Sequence, residues 1–129
     1  MLRHHQIEVL VIDDKHDMRG LLAEALASNG YVVYLADGAN VAEYLDARQY
    51  DLIITDLIMS GMGGLQVLGL AKEKSPNAKL VMITGYPSQE SLRFGREFGV
   101  DRYLVKPFSM GELRQVARNV LRGTGRMIR

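Results

Sequence analysis

Ile7–Ile12 reads IEVLVI and runs straight into Asp13–Asp14. A nearly continuous apolar run of this length predicts a strand covered on both faces, as in a parallel sheet, rather than a half-wet antiparallel strand. Leu52–Asp56 (LIITD) and Lys79–Thr84 (KLVMIT) have the same character, and Tyr31–Ala36 and Arg102–Val105 complete a set of five β-rich runs. Between them the apolar spacing is helical. Met18, Leu22 and Ala25/Leu26 precede Asn29–Gly30, a helix stop; Val41, Tyr44 and Leu45 mark a second helix, and Leu65, Leu68 and Ala71 a third. Ser109 and Glu112 make a capping box ahead of a Leu113, Val116, Val120 stripe. The segment Ser88–Phe98 is weaker, since it contains Gly95 and only Leu92, Phe94 and Phe98 as anchors, and it is expected to be the least securely docked helix. Five β–α alternations predict a doubly wound α/β domain: a parallel sheet with helices on both faces and right-handed crossovers.

The 129 residues, 47% of them hydrophobic, fit one domain of this kind. Sixteen basic and fifteen acidic side chains leave a net charge of +1, so no overall field recruits nucleic acid or a membrane. The absence of cysteine excludes a disulfide framework, a thiol nucleophile and Cys-ligated metals, and fits a reducing cytosol. The apolar stretch after MLRHHQ is too short for a signal-peptide core, and no run approaches the ~20 residues that span a bilayer. The expectation is a cytoplasmic domain over 1–122, with Gly123–Arg129 a flexible tail or the start of a linker. His4 and His5 are adjacent, which is not helical metal-ligand spacing, and are read as tail.

In a doubly wound domain function gathers at the carboxyl ends of the strands. Here those ends carry Asp13 and Asp14, Asp56, Thr84, and Lys106 followed by Pro107. Three carboxylates on one rim raise a pKa or bind a cation, and hard oxygen ligands with water suit Mg²⁺. Lys106 and Thr84 are suited to the oxygens of a phosphoryl group, leaving a carboxylate to act as a nucleophile that forms an acyl phosphate.

From Ile7 to Leu121 the chain resembles the receiver domain of two-component response regulators, a flavodoxin-like family. The carriers are VIDD at Val11–Asp14, TDLIM at Thr55–Met59, ITG at Ile83–Gly85 and KPF at Lys106–Phe108. The resemblance implies a (βα)5 fold with strand order 2-1-3-4-5. It implies Asp56 as phosphoacceptor; Mg²⁺ held by Asp14, Asp56 and the backbone carbonyl of Ile58, with Asp13 helping through water; Thr84 and Lys106 on the phosphoryl group; and Tyr103 as the switch aromatic. The implied partners are a histidine kinase or histidine phosphotransfer protein upstream and a downstream protein or output domain, with room for a phosphorylation-dependent dimer and no direct nucleic-acid or membrane binding. The implied readout is the surface of helix four, strand five and helix five.

Two departures from the family pattern carry expectations. Ser60, Gly61, Met62, Gly63 and Gly64 follow the acceptor where the family often has a proline, which predicts a more mobile loop. Ile58 and Tyr86 stand two residues after the acceptor and after the threonine, and neither offers a carboxylate or amide to position water, which predicts a long-lived aspartyl phosphate. Arg114, Arg118 and Arg122 repeat at i, i+4 and i+8, a solvated stripe or a docking face. Rival readings are weaker. A phosphohydrolase acting on free substrates would want a second Asp two residues after the nucleophile, where Ile58 stands. A flavin carrier would have its phosphate repelled by DDKHD after the first strand. A phosphorylation-independent interaction module on the same fold is the remaining alternative; in either reading the domain is not a free-substrate enzyme.

Overall fold

The computed structural model describes residues 6–57 and 62–123. Five parallel strands, β1 (Glu8–Ile12), β2 (Val32–Ala36), β3 (Leu52–Asp56), β4 (Lys79–Thr84) and β5 (Arg102–Val105), alternate with five helices: α1 (His16–Ala27), α2 (Val41–Ala47), α3 (Gly64–Lys74), α4 (Gln89–Glu97) and α5 (Met110–Leu121). The sheet order is β2-β1-β3-β4-β5. The strands lie where the apolar runs predict them, with only Ile7 and Tyr31 falling outside β1 and β2.

Strand periodicity explains why these runs read as unbroken apolar sequence, because alternate residues feed opposite faces. Val9, Val11, Leu52, Ile54, Val81, Ile83 and Leu104 pack with Leu22, Leu26, Leu113, Val116 and Val120 of α1 and α5. Leu10, Ile12, Ile53, Leu80 and Met82 pack on the other face with Val41, Leu45, Val67, Leu68 and Ala71 of α2 and α3. Ser109 Oγ accepts the Glu112 amide at 3.0 Å while Glu112 Oε1 accepts the Ser109 amide at 2.9 Å, so the expected capping box starts α5.

The fourth helix departs from its expected footing. Its buried residues are Ser91 and Gly95, while Leu92, Phe94 and Phe98 are only half-buried. The helix therefore seats through small residues at close range, with Phe98 at its C-cap packing against the core on the α2–α3 face. The α5 arginines also differ in kind. Arg118 Nη1 donates to Asn29 Oδ1 at 3.1 Å, and Asn29 Nδ2 donates to the Arg114 carbonyl at 3.3 Å. Arg118 thus ties α5 to the end of α1, and Arg122 is the exposed member of the series. Among the described residues no helix is long and apolar enough to cross a membrane.

Candidate functional site

The strand order reverses between β1 and β3, and the crevice outside their carboxyl ends holds Asp13 and Asp56. Asp56 is the last residue of β3, only 6% exposed, and Lys106 Nζ stands 2.9 Å from its Oδ2. Backbone bonds align the neighbouring strand ends. The Leu57 amide donates to the Ile83 carbonyl at 2.9 Å, and the Lys106 amide to the Thr84 carbonyl at 2.8 Å. Lys106 is joined to Pro107 by a cis peptide bond. Thr84 is buried at the end of β4, and its Oγ1 accepts the Tyr86 amide at 3.0 Å. A cavity of about 490 Å³ opens beside Asp56, lined also by Lys15, Gly85, Tyr86, Lys106 and Pro107.

Asp13 is 1% exposed. Its Oδ1 accepts the Lys15 amide at 2.8 Å, and its Oδ2 is buried without a hydrogen-bond partner among the described residues. Burial, reinforced by the Asp56 charge, raises the Asp13 carboxyl above the usual carboxylate range; the Lys15 amide and Lys106 pull the other way and do not cancel it. Asp14 turns to the β2–α2 loop, where its Oδ1 accepts the Gly38 amide at 3.1 Å. Among the described residues no three acidic or imidazole side chains converge as a ready-made metal site. The close pair is Asp13 and Asp56, with Asp14 beside it on Gly38.

Ile58, and with it the expected backbone ligand, lies outside the described residues, as do Met59, Ser60, Gly61, His4, His5 and the 124–129 segment. The loop itself is therefore described only at its far end. There the Met62 amide donates to the Gly38 carbonyl at 3.3 Å and the Gly64 amide to the Leu57 carbonyl at 3.1 Å. Gly64 has a role that its reading as a source of mobility missed. A Cβ there would stand 2.7 Å from the Leu57 Cα and 2.8 Å from the Asp56 carbonyl oxygen, so only glycine lets α3 begin against the Asp56–Leu57 backbone. Tyr86 is 77% exposed at the cavity mouth.

Tyr103 points under α4. Its hydroxyl donates to the Ser91 carbonyl, burial raises its pKa, and its ring fills the space beside Gly95. A Cβ on Gly95 would come within 2.7 Å of the Tyr103 Cε2.

Chemically, a buried carboxylate held by a lysine, a hydroxyl on the adjacent strand and a second buried carboxylate with one oxygen left without a hydrogen bond suit an oxyanion plus a hard cation. Residues 9–118 match the family described as the response regulator receiver domain. The chain is 32% identical over 119 residues to the response regulator MprA of Mycobacterium ulcerans, an alignment covering 92% of this chain and 51% of that one. It is 26% identical over 115 residues to the sporulation initiation phosphotransferase F of Bacillus subtilis, covering 88% and 93% of the two chains. The fold superposes on the chemotaxis protein CheY4 of Vibrio cholerae with a TM-score of 0.83 at 27% identity, over 90% of this chain and 99% of that one. The chain thus spans about half the length of the mycobacterial regulator and nearly all of the other two.

Proposed function

This chain belongs to the response regulator receiver domain family, and from that premise we propose that Asp56 is its phosphoacceptor, charged by a histidine kinase or histidine phosphotransfer protein and read by a downstream protein or output domain. The observation that carries the reading is the 2.9 Å contact between Lys106 Nζ and a 6% exposed Asp56 at the strand-order reversal. In the transfer, an Asp56 carboxylate oxygen forms a bond to phosphorus as the phosphorus–nitrogen bond of the donor phosphohistidine breaks, and the imidazole leaves with a proton from water. Positioning and charge supply most of what such a step needs.

Lys106 neutralises part of the charge that accumulates on the transferred oxygens, and Thr84 has a hydroxyl hydrogen to give one of them. Lys15 adds a second cation at the cavity mouth, suited to an anionic donor. The buried, unpartnered Asp13 Oδ2 is what fits a divalent ion here. Mg²⁺ would be held by Asp14 and Asp56 with the Ile58 carbonyl, Asp13 joining through water, and would supply charge neutralisation at the phosphoryl group. Tyr103, seated beneath α4, then links the phosphoryl group to the α4–β5–α5 surface if Thr84 exchanges its Tyr86 contact for a phosphoryl oxygen.

The test is intact mass of the wild type and Asp56→Asn after incubation with acetyl phosphate, with and without Mg²⁺. Expected is one hydroxylamine-labile phosphoryl group on the wild type, dependent on Mg²⁺, and none on Asp56→Asn; its decay with time reads the long lifetime expected from Ile58 and Tyr86. A wild type that stays unmodified by acetyl phosphate and by a phosphohistidine donor would leave the phosphorylation-independent module as the function.

A further inference from the structure

Every polar atom of Asp13 is committed except one. Its amide donates to the Ala36 carbonyl at 3.1 Å, its Oδ1 accepts the Lys15 amide at 2.8 Å, and its carbonyl accepts Arg19 Nη1 at 2.8 Å. The exception is Oδ2. Of these partners Arg19 is the one whose placement helix physics does not explain. It stands in the first turn of α1, where the macrodipole disfavours cations, and the N-cap there is Lys15 with no side-chain cap bond.

The guanidinium reaches back along the start of its own helix and bridges two loops. One nitrogen serves both the Asp13 carbonyl and, at 3.9 Å, Asp37 Oδ2; the other lies 3.2 Å from His16 Nδ1. Asp37 opens a β2–α2 loop stiffened by its own bonds. Its Oδ1 accepts the Ala39 and Asn40 amides at 2.9 and 3.0 Å, and its amide donates to Asn40 Oδ1 at 2.8 Å. The next residue, Gly38, donates its amide to Asp14 Oδ1 at 3.1 Å. One loop therefore contacts Asp14 directly through Gly38 and reaches Asp13 through Arg19.

We propose that Arg19 is a positioning residue for the acid pair: its bridge from Asp37 to the Asp13 carbonyl fixes the β1–α1 turn so that Asp13 Oδ2 is presented beside Asp56 for a divalent cation. Arg19 would act through Asp13, its own contacts being the Asp13 carbonyl, His16 and Asp37. It acts as partners behind metal ligands do, by fixing their orientation. The proposal rests on the reading of this rim as a Mg²⁺-dependent phosphoacceptor site.

Its test compares Arg19→Ala, Arg19→Lys and Asp37→Asn in the full chain. Asp37→Asn keeps the Oδ1 that builds the loop and removes the charge that Arg19 meets. Mn²⁺ affinity is read from the electron paramagnetic resonance signal of the free ion, with Mg²⁺ as competitor, and phosphorylation by acetyl phosphate is followed at saturating Mg²⁺. Arg19→Ala is expected to weaken metal binding about tenfold, with the rate at saturating Mg²⁺ falling less than about threefold. Arg19→Lys, a single donor without the fork, recovers part of the affinity, and Asp37→Asn loses part of it. Metal affinities of folded Arg19→Ala and Asp37→Asn within about twofold of wild type would overturn the proposal, as would no recovery by Arg19→Lys. Where Arg19→Ala does not fold, Asp37→Asn and Arg19→Lys decide. Failure of wild type to take a phosphoryl group would overturn the functional reading separately, since the metal affinities are measured without it.

Discussion

Asp13 holds a carboxyl where water cannot reach it, and the consequence is a stability that depends on pH. Its folded pKa lies above the usual 3.8, raised first by burial and then by Asp56. A raised acid binds its proton more tightly in the folded state. Its contribution to stability is therefore fully present below about pH 4 and is lost as pH rises through the raised value. Asp13→Asn is accordingly expected to stabilise the metal-free domain at pH 7 by on the order of 1 kcal/mol, with the gain vanishing near pH 4. Urea unfolding at the two pH values checks this, and a gain that persists undiminished at pH 4 would assign it to packing instead. Added Mg²⁺ should stabilise the wild type more than the variant. At this scale the sequence displays Asp13, Asp14, Asp56, Thr84 and Lys106 openly, because each directly follows or ends an apolar run that topology brings to one rim. Arg19 and Gly64 are not legible in the same way. Their roles depend on Asp37 and on the Leu57 backbone, partners that no local pattern announces; the one available signal for Arg19 is a cation placed against the helix dipole.

Elements are legible to the extent that their burial follows a period. The five strands and the α5 capping box do so, and their bounds match the apolar runs within one residue. The helix α4 does not, because its inward face is Ser91 and Gly95, and a small residue leaves no hydrophobic mark in the sequence. Gly95 then becomes informative through what it admits. On an open helix face Gly→Ala gains about 1 kcal/mol. Here the new Cβ would stand 2.7 Å from Cε2 and 2.8 Å from Cζ of Tyr103, closer than packed atoms tolerate. Gly95→Ala is expected to cost about 1–3 kcal/mol with Tyr103 in place. Tyr103→Ala should relieve that overlap, so the pair is expected to be non-additive by about 1 kcal/mol or more in a double-mutant cycle. Strict additivity would show that the ring and α4 are not coupled, and would remove the physical link between β5 and α4 on which the proposed switch role of Tyr103 depends.

On the scale of the whole molecule, one sheet serves two apolar layers, so neither face can unfold while the other keeps its core, and a single cooperative transition is expected. Groups far from the rim therefore report on global stability. Tyr50 is such a group: 4% exposed, its hydroxyl donates to the Tyr44 carbonyl at 2.7 Å, and its ring meets Tyr34 edge-on at 5.7 Å. Tyr34 in turn lies under Arg48, 4.4 Å from the ring centroid, with Glu8 accepting from both Arg48 and Tyr34 at 3.1 Å. This cluster sits at the β2 end of the sheet, on the face that carries α2 and α3. Burial pushes the Tyr50 phenol up to about 12 from 10. The stability it contributes is fully present below pH 10 and is lost as pH rises through the folded value, since the unfolded chain ionises first. Tyr50→Phe removes both the hydrogen bond and the titration. The variant is expected to be about 1 kcal/mol less stable than wild type at pH 8, with the deficit shrinking as the pH is raised above about 10. Thermal unfolding of the two proteins across that range measures it. Tyr103 has a raised value and remains, far from this cluster, in both proteins, so its titration cancels in the difference between the curves. A constant deficit from pH 8 upward would mean that Tyr50 ionises as easily folded as unfolded, and that water reaches its hydroxyl.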